Sequence, residues 1–183
     1  QKRPLPGVVA LFALCGDSAP EGQLGREHDA QLVVLGCGER RYEDYFRTLE
    51  AQFPDKVRAL ITYDRDLSKR IYAATDIFLM PSHSEPCGLS QMIALRYGTI
   101  PVVREVGGLK DSVFDSADGY GNGFTFKNYY TADMQHAVRR ALWGIQDDQG
   151  WHQLMWRAMM SDNSWERSAQ DYINVYSDTL NWA

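Results

Sequence analysis

Four short β-prone runs, each followed by a stretch of different periodicity, constrain this chain more than any other feature of it. "QLVVLG" (31–36), "DIFLMP" (76–81) and "TIPVVR" (99–104) are continuous apolar runs, and "KVRALIT" (56–62) reads as a further strand. Strands without polar alternation are buried on both faces. Between them, "RRYEDYFRTLEAQF" (40–53) sets Tyr42, Tyr45, Phe46, Leu49 and Phe53 at helical spacing and stops at Pro54-Asp55. "DLSKRIYAA" (66–74) reads as a short helix, "SQMIALRYG" (90–98) as a helix stopped by Gly98, and "GGLKDSVFD" (107–115) as another helix start. "GFTF" (123–126) is the last short strand. Pro101 argues that its strand lies at an edge, or that the proline is among its first residues. Strands alternating with helices imply βαβ units and a parallel sheet covered on both sides.

The two ends depart from this rhythm. Residues 131–147, 150–160 and 164–180 read as a helical tail rich in Trp, Met and Tyr, with Ser164 as a helix cap. The aromatic stripe is expected to be core packing. Residues 3–25 interrupt one apolar run with three prolines and four glycines, so the segment reads as irregular, with a weak strand at 8–14. The domain division expected is an irregular or aberrant segment at 1–28 followed by one α/β domain at 29–183.

Composition narrows the function classes. With 183 residues, 44% hydrophobic and 23% charged, the chain suits one globular domain with a sizeable core. A net charge of −5 disfavours nucleic acid or an anionic membrane as a partner. Cys15, Cys37 and Cys87 are odd in number and form no CxxC pair, which points to a reducing compartment. His28, His83, His136 and His152 lack zinc-like spacing, and no metal site is expected. "VVALFALC", after Lys2 and Arg3, is a short apolar run that is not expected to be a secretion signal, and no run is long enough to span a bilayer.

The chemistry points to "PSHSEPCGLSQMIALRYGTIPVV" (81–103). Ligands of open α/β sheets sit outside the carboxyl ends of the strands, where the next helix offers free N–H groups and a positive dipole end. Cys87, Gly88, Leu89 and Ser90 fall where such a helix begins. Their amides can cradle a diphosphate, Gly88 permits close approach, and Ser90 can add a hydroxyl. Glu85 would face a sugar hydroxyl or a developing cation. Spacing alone fits an anion-plus-polyol site, and equally an ordinary loop with an exposed acid.

The run from Pro81 through "REVGGLKDSV", with "LGCGE", "ITYD", "RIYAATDIFLMPS" and the closing "SWERSAQDYINVY", closely resembles the bacterial glycogen synthase and plant starch synthase family. These are retaining glycosyltransferases of the two-domain GT-B type, and the likeness runs from about residue 29 to 180. It implies that the chain is the C-terminal, nucleotide-sugar-binding half, a Rossmann-like parallel sheet flanked by helices with a helical C-terminal tail. It implies transfer of glucose from ADP-glucose to the non-reducing end of an α-1,4-glucan, with no cofactor, and a missing N-terminal domain as partner. Localisation would be cytoplasmic if the source is bacterial and plastid if it is a plant. The alternatives are a non-catalytic nucleotide-sugar-binding module and a UDP-glucose-using GT-B transferase.

The resemblance also implies roles. Glu85 matches the family's glutamate beside the donor glucose. Cys87, Gly88, Leu89 and Ser90 match its glucose and diphosphate cradle. Tyr63 matches the aromatic residue that stacks on adenine, with Thr62 near it. Gly107 and Gly108 match paired glycines that equally suit a tight turn. Ile93 stands where many GT-B enzymes carry a second glutamate, which agrees with the glycogen synthase branch. Gln1-Lys2 matches a "QKG" signature whose lysine contacts the donor phosphates, but Arg3 replaces the glycine and the expected "LDLV" helix start is absent. A misread frame, a misjoined exon or an insertion over 3–25 each accounts for that gap. His83 is assigned nothing, and Cys37 is expected to be structural and in a turn.

Overall fold

The computed structural model describes residues 7–14, by their backbone, and 30–181. Among the described residues the strands are β1 (Gly7–Leu14), β2 (Ala30–Gly38), β3 (Val57–Leu60), β4 (Ile77–Met80), β5 (Ile100–Arg104) and β6 (Phe124–Phe126). The helices are α1 (Arg40–Gln52), α2 (Arg65–Ala74), α3 (Ser90–Tyr97), α4 (Gly108–Ser112), α5 (Thr131–Gly144), α6 (Asp148–Met159) and α7 (Trp165–Asn181). One sheet forms in the order β3-β2-β1-β4-β5-β6, and its pairings are all parallel. The α/β fold with a parallel sheet and a helical tail is as the sequence implies.

The sheet is buried on both sides because its strands are apolar at successive positions. In β4, Ile77 and Leu79 join a core with Val34, Phe46, Val102 and the inner faces of α5 and α6. Phe78 and Met80 point the other way, into a core with Ile71, Tyr72, Ala94, Val103 and Leu109 from α2, α3, β5 and α4. Helix ends are set locally. Asp64 caps α2, its carboxylate accepting the N–H groups of Asp66 at 3.0 Å and Leu67 at 2.9 Å. Gly98 ends α3 in the left-handed region, at φ 77°. Ser164 caps α7, its Oγ accepting the Arg167 N–H at 3.3 Å.

Four expectations are resolved, corrected or extended. Pro101 meets the second of its two expected placements, among the first residues of its strand and not at an edge, since β5 lies between β4 and β6. It is the second residue of β5. Ile100 N–H donates to Asp76 O on the β4 side at 2.9 Å, so the nitrogen of Pro101 faces the β6 side, where pairing begins only at Val102. The missing donor is therefore not needed. Second, the tail's aromatic stripe is mostly not core. Trp151 is buried, but Trp143, Trp156 and Trp165 are 66%, 64% and 85% exposed. Third, Cys37 lies within β2, not in a turn. Finally, the strand expected at 8–14 is present as β1, and it is central, paired with both β2 and β4. The rest of 1–28 lies outside the described residues.

Candidate functional site

From β1 the chain passes to β2 on one side, and β4 lies on the other, so the strand order reverses between β1 and β4. Crevices at such a point bind ligands in open α/β sheets. The segment 81–89 leaves the carboxyl end of β4 there and ends at α3.

This loop is held by its carbonyl groups. Arg104, at the end of β5, donates from Nη1 to His83 O at 2.8 Å and more weakly to Ser82 O at 3.4 Å. Its guanidinium also stands 5.2 Å from the Tyr129 ring centroid. Gly108 N–H donates to Glu85 O at 3.2 Å. The two hydrogens of Gln91 Nε2 serve three acceptors, Gly88 O at 2.9 Å, Cys87 O at 3.2 Å and Ser112 Oγ at 3.0 Å, so one of them is shared. Ser112 Oγ in turn donates to Gly108 O at 2.6 Å. The described peptides are trans, so each N–H points opposite to the carbonyl before it. With the carbonyls of Cys87 and Gly88 turned to Gln91, the N–H groups of Gly88 and Leu89 point away from it. They extend the set of free donors at the start of α3.

Gln91 is 0% exposed, and its Oε1 has no hydrogen-bond partner. An unmade bond of that kind costs ~1–3 kcal/mol. The side chain keeps this position because its amide nitrogen ties two loop carbonyls to α4. A Cβ on Gly88 would come within 2.5 Å of Gln91 Oε1, and Gly88 sits at φ +74°, so glycine and glutamine interlock. Sequence reasoning missed Gln91. The available signal was a polar side chain just inside a short helix otherwise headed for the core.

The paired glycines are a close-approach device. A Cβ on Gly107 would overlap the carbonyl oxygen of Glu85, and one on Gly108 would overlap that of Cys87. The structure thus brings Glu85, Cys87, Gly88, Leu89, Ser90, Gly107 and Gly108 together. Glu85 is half-buried, and Cys87 and Leu89 are exposed. Ser90 is engaged with the Tyr72 phenol. Burial pushes that phenol's pKa up, and the Ser90 hydrogen bond opposes the rise. Cys87 and Leu89 also wall a cleft of about 740 Å³ that reaches Phe114, Tyr120, Trp156 and Trp165.

Thr62 and Tyr63 follow β3, at the carboxyl ends of the strands like the loop, but at the sheet's far edge. Tyr63 is 86% exposed. Three strand spacings of about 4.8 Å separate β3 from β4, a span of ~14 Å. The two groups therefore do not touch, and only an extended ligand would bridge them. Lys2 lies outside the described residues. Among those described, no cluster of three or more His, Cys, Asp or Glu side chains is placed to hold a metal ion. No described helix is long and apolar enough to cross a membrane.

Comparison with known proteins shows what the chain is similar to. The family model for glycosyl transferases group 1 matches residues 14–148. The chain is 49% identical over 154 residues to a glycogen synthase of Clostridium beijerinckii, covering 83% of this chain and 32% of that protein. It is 46% identical over 183 residues to a glycogen synthase of Clostridioides difficile, covering 96% of this chain and 38% of that protein. The chain thus spans roughly a third of the length of the curated relatives it matches. Among solved structures, the catalytic domain of starch synthase IV from Arabidopsis thaliana, bound to ADP and acarbose, superposes with a TM-score of 0.80 at 36% identity. That match covers 98% of this chain and 39% of the other.

Proposed function

This chain belongs to the group 1 glycosyl transferases, and from that premise we propose that it is the donor-binding half of an ADP-glucose-dependent glucan synthase. The observation that carries the reading is the loop from Glu85 to Ser90. Its carbonyls are taken up by Gln91 and Gly108, and its Gly88 and Leu89 N–H groups point away from Gln91 at a helix start. Such donors, with the positive end of α3, suit a diphosphate. Glu85 stands beside them, where the glucose of the donor would lie. The exposed ring of Tyr63 would take the adenine, Thr62 beside it, and Lys2 would add a positive charge to the phosphates.

In this reading the amide donors stabilise the negative charge that grows on ADP as its bond to glucose breaks. Glu85 holds the sugar and balances positive charge at the reacting carbon. The 4-hydroxyl at the non-reducing end of an α-1,4-glucan attacks from the same face, so the α configuration is kept. No cofactor is required. The acceptor site belongs to an N-terminal GT-B half, in line with this chain spanning only about a third of its relatives' length.

Calorimetry of the chain with ADP and UDP tests the donor. Clear preference for ADP supports the reading, and preference for UDP replaces it with a UDP-glucose transferase. Glucose transfer from ADP-glucose to a maltodextrin, assayed with an N-terminal half supplied from a glycogen synthase relative, tests the reaction. ADP binding without transfer in that mixture would leave a nucleotide-sugar-binding module.

A further inference from the structure

We infer that Gln91 is a positioning residue for diphosphate binding, acting through the peptide groups of Cys87 and Gly88 and not by touching the ligand. The inference rests on the donor-site reading above and adds to it the part that holds the site in shape.

Three features converge on this role. Gln91 Nε2 meets the carbonyls of two consecutive residues, Cys87 at 3.2 Å and Gly88 at 2.9 Å. Because the peptides are trans, those bonds fix the direction of the Gly88 and Leu89 N–H groups. Without them, either peptide plane is free to rotate and present its carbonyl to the ligand, where an oxygen dipole repels phosphate. The side chain is also braced from behind. Ser112 Oγ accepts from Nε2 at 3.0 Å and donates to Gly108 O, so α4 and its close approach to Glu85 hold the amide in place. Finally, Gly88 at φ +74° leaves room for Gln91 Oε1 where a Cβ would stand. An apolar side chain of the same length would fill the space equally well but could not hold the carbonyls.

The test separates diphosphate from nucleoside recognition. ADP and adenosine affinities are measured by calorimetry on the 183-residue chain, unchanged and as Gln91→Met and Gln91→Glu. Gln91→Met is expected to weaken ADP about tenfold, ~1.4 kcal/mol, with adenosine affinity unchanged. Gln91→Glu is expected to bind ADP poorly when ionised and to recover relative to the unchanged chain as pH falls, because the protonated acid again donates to a loop carbonyl. Equal losses for ADP and adenosine, or a flat pH profile for Gln91→Glu against the unchanged chain, overturn the inference. So does ADP binding by Gln91→Met at full strength. Failure of the unchanged chain to bind ADP at all overturns the donor reading itself. If Gln91→Met does not fold, the pH profile of Gln91→Glu decides.

Discussion

Gly108 donates its N–H to the carbonyl oxygen of Glu85 at 3.2 Å, joining residues 23 positions apart in the sequence through the backbone alone. The proposed sugar-binding carboxylate is thereby carried on a peptide that α4 holds in register. That contact exists only because residues 107 and 108 both lack a side chain. The glycine pair is a packing requirement of the site whether or not either glycine touches a ligand.

Gly107→Ala is expected to damage both fold and site. The new Cβ would overlap Glu85 O, and Gly107 has φ 47° with ψ −137°, a region closed to other residues. A loss of at least ~2 kcal/mol of stability is expected, with ADP affinity falling as the loop shifts. Gly119→Ala is the control. Gly119 has φ 84° but open space where its Cβ would stand, so only the local strain of ~1–2 kcal/mol applies, and ADP binding should stay. Thermal melts and calorimetry on both variants check this. Matching behaviour would mean that the contact with Glu85 does not matter.

Glu85→Gln, made in a full-length enzyme carrying this chain as its donor half, is expected to lower kcat by at least about a hundredfold, ~2.7 kcal/mol, and leave the melting temperature unchanged. The amide keeps the shape and loses the charge. Steady-state kinetics with ADP-glucose measures it, and near-normal turnover would return Glu85 to the role of an ordinary loop acid.

Some of this was legible in the sequence for local reasons. "IFLM" is apolar at four successive positions and is stopped by Pro81, a length and flank that suit a strand buried on both faces, and β4 is that strand. A strand, a turn with Gly88 and a helix start placed the loop without any long-range information. Gln91 left only a local trace, a polar side chain on a core-facing helix, because Ser112, which braces its amide, lies 21 residues on. Which of its two expected placements Pro101 takes was not legible, because which neighbour its nitrogen faces depends on strand parity and on where β6 begins. The tryptophans of the tail were misread for another reason: periodicity marks an apolar face but does not say whether anything covers it. The Lys2 assignment and most of 3–25 lie outside the described residues.

Tyr63→Ala is expected to weaken ADP about tenfold or more, since base stacking on an aromatic ring is worth ~1–3 kcal/mol in nucleic-acid binders. Tyr63 is 86% exposed, so its removal should cost the fold little. The discriminating measurement is calorimetry with ADP and with inorganic pyrophosphate. Loss for ADP and none for pyrophosphate is the result expected of an adenine platform, and unchanged ADP affinity would remove Tyr63 from the site.

The frame behind the site carries a pH dependence. Asp115 accepts from Arg140 Nη1 at 2.8 Å and Nη2 at 2.9 Å, from Thr125 N–H at 2.8 Å and from Ala117 N–H at 3.0 Å. Burial alone would raise its pKa. The Arg140 hydrogen bonds, then those of Thr125 and Ala117, outweigh burial and hold it at about 2, against 3.8 ordinarily. A carboxylate whose folded pKa is depressed stabilises the fold above its unfolded pKa. That stability is lost as pH falls from about 4 through about 2. Asp115→Asn should therefore lower stability by ~1–3 kcal/mol at neutral pH, because Arg140 is left without its charge partner. The deficit relative to the unchanged chain should shrink across that acid window. Chemical denaturation at neutral pH and at several acid pH values measures both. A deficit that stays constant down to pH about 2 would show that Asp115 acts through shape and hydrogen bonding alone, with no contribution from its charge.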